Sequence, residues 1–299
     1  MKKITKLIAF TLTLCFAAFS LTACKSNTAP EGSAEETSSA SIASAASEET
    51  SLPYPTIEKR MLYKVSYPIL GDWMTYEYDE WGNLSVIEYA SGSRSYYTYD
   101  DQRRLVRIDE KDGDDKALTA EKWEYDEKDR VIKYTHWSGG TTTTEYTYDD
   151  SGKLIKTVET GGSVTNQYDY EYAEDGSYTK SSKDSEGHVL VWYYTAGDDP
   201  LAQYTDDVKQ KEYTYDENGN LLKYESFYEG EVFEYESYTY DSTGRLTEKA
   251  VSIEPGSETI RRYEYDEFGN CICTKYVSST GEESIFEECE YKLFAVRTE

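Results

Sequence analysis

Histidine, methionine and proline are scarce in this chain of 299 residues, with two, three and six copies. His136 and His188 stand in separate segments, and their spacing matches no metal site and no partner for a nucleophile. Basic residues are also few, with 31 Lys and Arg against 58 Asp and Glu and a net charge of −27. Such an excess of negative charge repels nucleic acid. We therefore predict a protein that is not an enzyme, with no resident metal, no cofactor and no nucleic-acid partner.

Long apolar runs are missing except at the amino terminus. Lys2, Lys3 and Lys6 precede an apolar stretch at 7–21, which is typical of a secretory signal. The four residues Leu21-Thr22-Ala23-Cys24 that follow resemble the lipobox of bacterial lipoproteins. The resemblance implies cleavage before Cys24, a lipid on its thiol and anchoring to the outer face of the cell membrane. The alternative is an ordinary secretory signal in which Cys24 is incidental.

Large side chains are nearly absent from the segment that follows, which includes the run SAEETSSASIASAASEETS. A segment with so little to bury stays disordered, and roughly 30 residues of flexible chain span about 30 Å. The sequence therefore predicts a signal peptide at 1–23, a lipidated and disordered tether at 24–53, and one folded domain at 54–299.

Tyrosine, in contrast, is abundant, with 31 copies. The segment EYTYDENGNLLKY at 212–224 shows how they are used. Tyr213 and Tyr215 lie on one face of a strand, Asp216 to Gly219 form a tight turn, and Leu221 begins the returning strand. The pattern predicts a β-hairpin.

Relatives of this hairpin fill the chain after residue 60. Their second tyrosines are Tyr78, Tyr99, Tyr125, Tyr148, Tyr172, Tyr194, Tyr215, Tyr240 and Tyr265, with a closing match at Tyr291. Arg103 and Asp129 replace the turn glycine in two units, and around Tyr194 the pattern breaks with an extra residue. We expect these three turns to be the least regular. A second set of glycine-rich loops joins one hairpin to the next.

Two kinds of short loop in alternation predict an antiparallel meander, with each strand beside its neighbours in the chain. Nine hairpins imply about eighteen to twenty strands, and open sheets seldom exceed about ten strands without curling. The predicted fold class is therefore all-β, with repeated hairpins curled into a coiled strip or a partly closed shell.

The recurring Tyr-x-Tyr-Asp-x-x-Gly-x-Leu unit resembles the YD-repeat, or RHS-repeat, family over roughly residues 76–291. The resemblance implies a long spiralling β-strip on a cell surface, and it implies carbohydrate as a ligand.

The paired rings are the residues that we predict to stack on a ligand: Tyr76, Tyr78, Tyr97, Tyr99, Trp123, Tyr125, Tyr146, Tyr148, Tyr213, Tyr215, Tyr238, Tyr240, Tyr263 and Tyr265. The alternative role for the same rings is cross-strand pairing, which stabilises a thin sheet by about 0.2 to 1 kcal/mol for each pair.

Three cysteines follow Cys24. With a three-residue loop at 279–281, Cys271 faces Cys289, and an exported protein can form that disulfide, with Cys273 unpaired on the same face. Free thiols are the alternative. The acidic segment at 109–115 offers oxygen ligands for calcium but lacks the order of a dedicated calcium loop, so a solvated charge run is the favoured interpretation.

The leading functional hypothesis is a membrane-anchored, extracytoplasmic lipoprotein that binds carbohydrate or another cell-surface ligand without catalysis. The alternatives are a structural or protein-interaction protein of the cell envelope and, third, a glycan hydrolase, because an acidic chain always offers carboxylate pairs.

Overall fold

The computed structural model describes residues 55–252 and 257–298, so the predicted signal peptide and tether lie outside the described residues. Within these ranges the chain forms twenty β-strands and no helix. No helix in this part of the chain is long and apolar enough to cross a membrane.

The strands follow one another with short connections. In chain order they are β1 Thr56–Tyr67, β2 Asp72–Tyr78, β3 Leu84–Tyr89, β4 Arg94–Tyr99, β5 Leu105–Lys111, β6 Ala117–Tyr125, β7 Val131–Trp137, β8 Thr141–Tyr148, β9 Leu154–Gly161, β10 Val164–Tyr172, β11 Tyr178–Lys183, β12 Val189–Tyr194, β13 Pro200–Thr205, β14 Val208–Tyr215, β15 Leu221–Tyr228, β16 Glu231–Tyr240, β17 Leu246–Ser252, β18 Thr259–Tyr265, β19 Cys271–Val277 and β20 Glu283–Arg297.

Every strand pairs antiparallel with its neighbours in the chain, and β20 pairs with β1. The sheet is therefore a closed ring of twenty strands, which confirms the predicted meander and the predicted shell. The closing pair extends from Thr56↔Arg297 to Ser66↔Glu288. Closure leaves no strand with an unpaired edge, so nothing in the ring can add a further strand.

The strand ends form two rims. The turn rim carries the nine turns that follow the second tyrosines, and the loop rim carries the loops that join one hairpin to the next. Each even-numbered strand from β2 to β18 ends on a second tyrosine, as the repeat predicts. At the turn after Tyr215, Gly219 donates its backbone N–H to the carbonyl of Asp216 at 3.1 Å and has a φ of 84°. That left-handed conformation is the physical reason for a glycine at this position.

Arg103 and Asp129 adopt the same left-handed conformation without being glycine, with φ values of 64° and 62°. Their backbone N–H groups donate to Asp100 and Asp126 at 2.9 and 3.2 Å, as in the other turns. The expectation of irregular turns is wrong at both positions, because the hydrogen bonds of the turn hold the backbone in place.

The turn after Tyr194 is also regular, and it contains no inserted residue. Thr195 takes the place of the aspartate and accepts a backbone hydrogen bond from Asp199 at 3.1 Å, while Asp198 takes the glycine position with a φ of 67°. Pro200 then begins β13, where five of the other eight return strands begin with leucine. The prediction of an extra residue here is wrong, because a threonine hydroxyl can replace the aspartate carboxylate as acceptor.

The three cysteines of the described region are free thiols. A β-bulge between Thr274 and Lys275 shifts the β19–β20 register by one, so that Cys273 pairs with Glu288 and Cys271 no longer faces Cys289. A second bulge makes Cys271 pair with Tyr265 and Cys273 with Glu264, which places these two thiols on opposite faces. The predicted register and the shared face of Cys271 and Cys273 are therefore wrong. Burial raises the pKa of Cys271 to about 11, which keeps this thiol protonated at neutral pH.

Candidate functional site

All fourteen predicted stacking residues lie on one face of the closed sheet, which we call the tyrosine face. The register shows this strand by strand, since Tyr213 pairs with Tyr224 and Tyr215 with Leu221 on the next strand. The opposite face carries charged pairs such as Arg107 with Asp109 and Lys122 with Glu124. Rings on the tyrosine face even meet across an intervening strand, as Tyr168 and Trp192 do with centroids 5.9 Å apart. Since alternate strands lie about 9.6 Å apart, we assign the tyrosine face to the inside of the ring.

The second tyrosine of a unit joins that unit to the one before it. Tyr215 donates its hydroxyl to the carbonyl of Pro200 at 2.8 Å, and Pro200 is the first residue of the preceding return strand. A hydroxyl bond to a carbonyl of the preceding odd-numbered strand, at 2.7 to 3.2 Å, recurs for Tyr78, Tyr99, Tyr125, Tyr148, Tyr172, Tyr240, Tyr265 and Tyr291. Tyr194 differs and stacks on Tyr178 at 4.8 Å. These hydroxyls are therefore committed to holding the sheet together.

Basic side chains cover several of the same rings. The guanidinium of Arg130 lies 4.4 Å from the ring centroid of Tyr148, and its carboxylate partner Asp126 is 2.6 Å away. Arg104, Lys153 and Arg245 repeat the contact on Tyr125, Tyr172 and Tyr265 at 4.6, 4.7 and 5.1 Å. A ring beneath a cation has one face fewer for a ligand. The second tyrosines thus make the kind of contact between strands that the sequence left open as an alternative to ligand stacking.

The first-position rings are arranged differently. Tyr97, Tyr146 and Tyr213 are half-buried, and among the described residues their hydroxyls have no hydrogen-bond partner. Burial raises the pKa of Tyr97 to about 12 and also raises the pKa values of Tyr146 and Tyr213. Buried tyrosine hydroxyls usually find a partner. These three are neutral donors and acceptors that a polar ligand can use.

Two first-position tyrosines bond within the sheet. Tyr76 donates to the sulfur of Met74 at 2.8 Å, and Tyr238 donates to Glu236. Lys249 lies 2.8 Å from Glu236 and 5.4 Å from the ring of Tyr238, so a carboxylate, an ammonium and a phenol form a compact polar group on the tyrosine face. Sequence reasoning missed this group because its members come from two strands, β16 and β17.

Two clefts open between successive turns at the turn rim. One, of about 660 Å³, is lined by Trp81, Tyr97, Tyr99, Asp100 and Arg103, and its counterpart between the turns at 216–220 and 241–245 has about 370 Å³. Trp81 lies beneath the guanidinium of Arg103 at 4.7 Å and near that of Arg297 at 4.4 Å. Its ring is thus already engaged by cations.

The remaining sequence candidates take separate partners. In the acidic segment, Asp109 bonds to Arg107, and Asp115 lies 2.8 Å from Lys111. His188 lies 3.1 Å from Asp184 in a loop of the loop rim. Throughout the described ranges no three histidine, cysteine or acidic side chains are grouped so that they could hold a metal ion.

The described strands form a closed ring of tyrosine-aspartate hairpins, in which nearly every second tyrosine donates a hydrogen bond to the preceding odd-numbered strand. This arrangement defines a shell of YD repeats. The family model described as Teneurin YD-shell matches residues 135–286, which is half of the chain. The chain therefore belongs to the teneurin YD-shell family, as the tyrosine-aspartate repeat predicts.

Named proteins similar to this chain are distant in sequence, and the chain spans only a small part of the first of them, a curated relative. The chain is 26% identical over 199 residues to the tRNA3(Ser)-specific nuclease WapA of Bacillus spizizenii, which covers 52% of this chain and 8% of that protein. Among solved structures, the crystal structure of TcdB2-TccC3-Cdc42 aligns over 79% of this chain and 15% of the other, with 14% identity and a TM-score of 0.45. A porin-like protein from Bacteroides uniformis aligns over 81% of this chain and 97% of its own, with 13% identity and a TM-score of 0.32.

Proposed function

We propose that this chain is an extracytoplasmic lipoprotein, anchored to the cell membrane through Cys24, whose YD shell binds carbohydrate on its tyrosine face without catalysis. The observation that carries the binding proposal is the set of half-buried first-position tyrosines with unpaired hydroxyls, at Tyr97, Tyr146 and Tyr213. Sugars present apolar ring faces and many hydroxyls, so rings that carry free phenol groups complement both features.

Binding is tested on the purified full chain with a glycan array, followed by titration with the best glycan. We expect Tyr97→Phe, Tyr146→Phe and Tyr213→Phe each to weaken binding while the urea midpoint stays near that of the wild type. Each change deletes one unpaired hydroxyl and leaves the ring. If no glycan binds, the carbohydrate proposal fails; if glycan binds but the three variants bind like the wild type, these tyrosines are not the binding site.

Anchoring is tested separately by fractionating cells that express the full chain. The sequence suggests a control, because Cys15 lies within the apolar stretch and Cys24 ends the lipobox-like segment. Cys24→Ser should move the protein out of the membrane fraction and abolish fatty-acid labelling, whereas Cys15→Ser should change neither. Labelling that survives Cys24→Ser would contradict the anchor.

Protein interaction is the second candidate, and one feature of the loop rim favours it. The hairpin between β15 and β16 exposes 68% of Tyr228, 49% of Val232 and 58% of Phe233. Clustered exposed apolar side chains are common where proteins bind one another. Co-purification of one stoichiometric partner that is lost in Phe233→Asp would support this role, and an unchanged set of partners would oppose it.

A further inference from the structure

Arg261 occupies an unusual position for a basic residue in so acidic a chain. It lies on the tyrosine face of β18, directly opposite Lys249 on β17 and Tyr276 on β19. Two like charges at directly opposed positions destabilise a sheet. With 58 acidic residues available, a carboxylate at either position would have removed the repulsion.

Arg261 is also an exception among the ten described arginines. Eight of them form an ion pair with a described carboxylate, and Arg103 has another interaction. No described carboxylate lies within 4.0 Å of Arg261. Its neighbour Arg262, on the opposite face, has two such partners, Glu248 at 3.1 Å and Glu283 at 2.6 Å.

The surroundings of Arg261 fix its guanidinium but leave donors free. The group lies over the rings of Tyr276 and Phe286, at 4.9 and 4.3 Å, and donates to the Tyr276 hydroxyl at 2.6 Å. Burial raises the pKa of Tyr263, while the nearby Arg261 opposes that rise. A guanidinium has five N–H donors, so the contacts of Arg261 with the phenols of Tyr263 and Tyr276 leave several donors uncommitted.

A polar group nearby lacks a hydrogen-bond partner among the described residues. Thr274, on β19, is 4% exposed, and its hydroxyl has no hydrogen-bond partner within the described residues. It pairs with Tyr263 on one side and Glu287 on the other. Towards the loop rim, Thr259 and Ser284 are exposed, so this part of the tyrosine face is open to solvent.

We propose that Arg261, with Lys249 beside it, binds the carboxylate of an acidic saccharide such as a uronic acid. This inference rests on the proposed carbohydrate-binding function and assigns its ligand class. A guanidinium binds a carboxylate through two parallel hydrogen bonds, and the neighbouring rings of Tyr238 and Tyr263 can stack on the sugar. Two carboxylates face the site, Glu236, which pairs with Lys249, and Glu287, which accepts from Cys289. Because of these and the net charge, single uronic acids within a largely neutral chain suit the site better than dense polyanions.

Calorimetric titration of the full chain tests the assignment with two probes: a galactose tetrasaccharide in which one unit is galacturonic acid, and its carboxyl-reduced, neutral counterpart. We expect the acidic probe to bind at least tenfold more tightly. Arg261→Gln should remove this preference, Arg261→Lys should reduce it because a lysine lacks the paired donors, and Arg262→Gln should leave it unchanged. A urea midpoint for each variant separates lost binding from lost folding.

The outcomes distinguish this inference from the proposal beneath it. If both probes bind equally, carbohydrate binding stands and the acidic-ligand assignment falls. If the preference survives in Arg261→Gln and in Arg261→Lys, the assignment of the residue is wrong. If neither probe binds while neutral glycans bind on the array, only the ligand class is overturned, and if nothing binds in either experiment, both proposals fail.

Discussion

The two rims of the closed sheet are built from the same strands but by different rules. At the turn rim nine turns share one backbone path, even where the signature residues change to Arg103, Asp129 or Thr195. At the loop rim the described connections range from two residues between β13 and β14 to five between β5 and β6. Exposed apolar side chains such as Leu70 and Tyr228, each 68% exposed, also lie there. The comparison teaches that the repeat signature is used mainly for folding, and that the variable rim is where surfaces can differ.

The uniformity of the turn rim has a local cause. Each turn aspartate accepts from backbone N–H groups two and four residues ahead, as Asp216 does from Asn218 and Asn220 at 2.8 Å. The phenol of the next unit then bonds to the carbonyl at the start of the return strand. Since eight of the nine turns are joined to a neighbour in this way, damage at the turn rim should spread further than damage at the loop rim.

The largest expected effect is at the place where the ring closes. Val296 is 4% exposed at the turn rim, and it lies close to Gly82 of the first turn, where Met61 is also near. Val296→Asp would bury an unpaired carboxylate and should lower the free energy of unfolding by about 3 kcal/mol or more. Urea denaturation measures the loss. Leu293→Asp is the control, because Leu293 on the same strand is 61% exposed, and equal losses in the two variants would contradict the closing role of Val296.

The stability cost of replacing one glycine at each rim compares the two rims directly. Gly219, at the turn rim, has a φ of 84° and open space around it, whereas Gly140, at the loop rim, has equal space and no positive φ. Gly219→Ala should cost about 1–2 kcal/mol from left-handed strain alone, and Gly140→Ala should cost close to nothing. Matched urea midpoints provide the test. Similar losses would mean that conformation is not what distinguishes the rims.

The two tyrosine positions can be separated in a single unit. Tyr215→Phe removes the hydrogen bond to Pro200 and should cost about 0.5–1.5 kcal/mol. Tyr213→Phe removes a hydroxyl that has no partner within the described residues, and it should barely change stability. If Tyr213→Phe is the more destabilising variant, it is wrong to assign a stabilising hydrogen bond to the second tyrosine and an unpaired hydroxyl to the first.

Local chemistry explains which features could be predicted from the sequence. The turns, the strand ends and the meander follow from contacts within a few residues, so the repeat unit that contains Tyr215 and Gly219 predicts them. Closure depends on the pairing of β1 with β20, which are far apart in the chain, and the repeat pattern does not predict that pairing. The hydroxyls of the second tyrosines bond to backbone carbonyls. Every residue has such a carbonyl, so no residue type in the sequence indicates the acceptor. The bulge at Thr274 and Lys275 has no sequence signal either, which is why the cysteine register was wrong.

The smallest expected effect concerns the charge of one turn aspartate. The Arg130 side chain donates hydrogen bonds to Asp126 and lowers the pKa of its carboxyl to about 2. Because an unfolded aspartate titrates near 3.9, this stabilisation is complete above about pH 4 and is lost as the pH falls towards 2. Asp126→Asn keeps an oxygen for the backbone donors but loses the charge, so its urea midpoint should fall less steeply between pH 4 and 2 than that of the wild type. Asp114→Asn at the loop rim is the control, since the Asp114 carboxylate makes no hydrogen bond or ion pair with described residues, and it should follow the wild-type curve. An Asp126→Asn curve that also follows the wild type would show that the turn rim depends on the shape of its aspartates rather than on their charge.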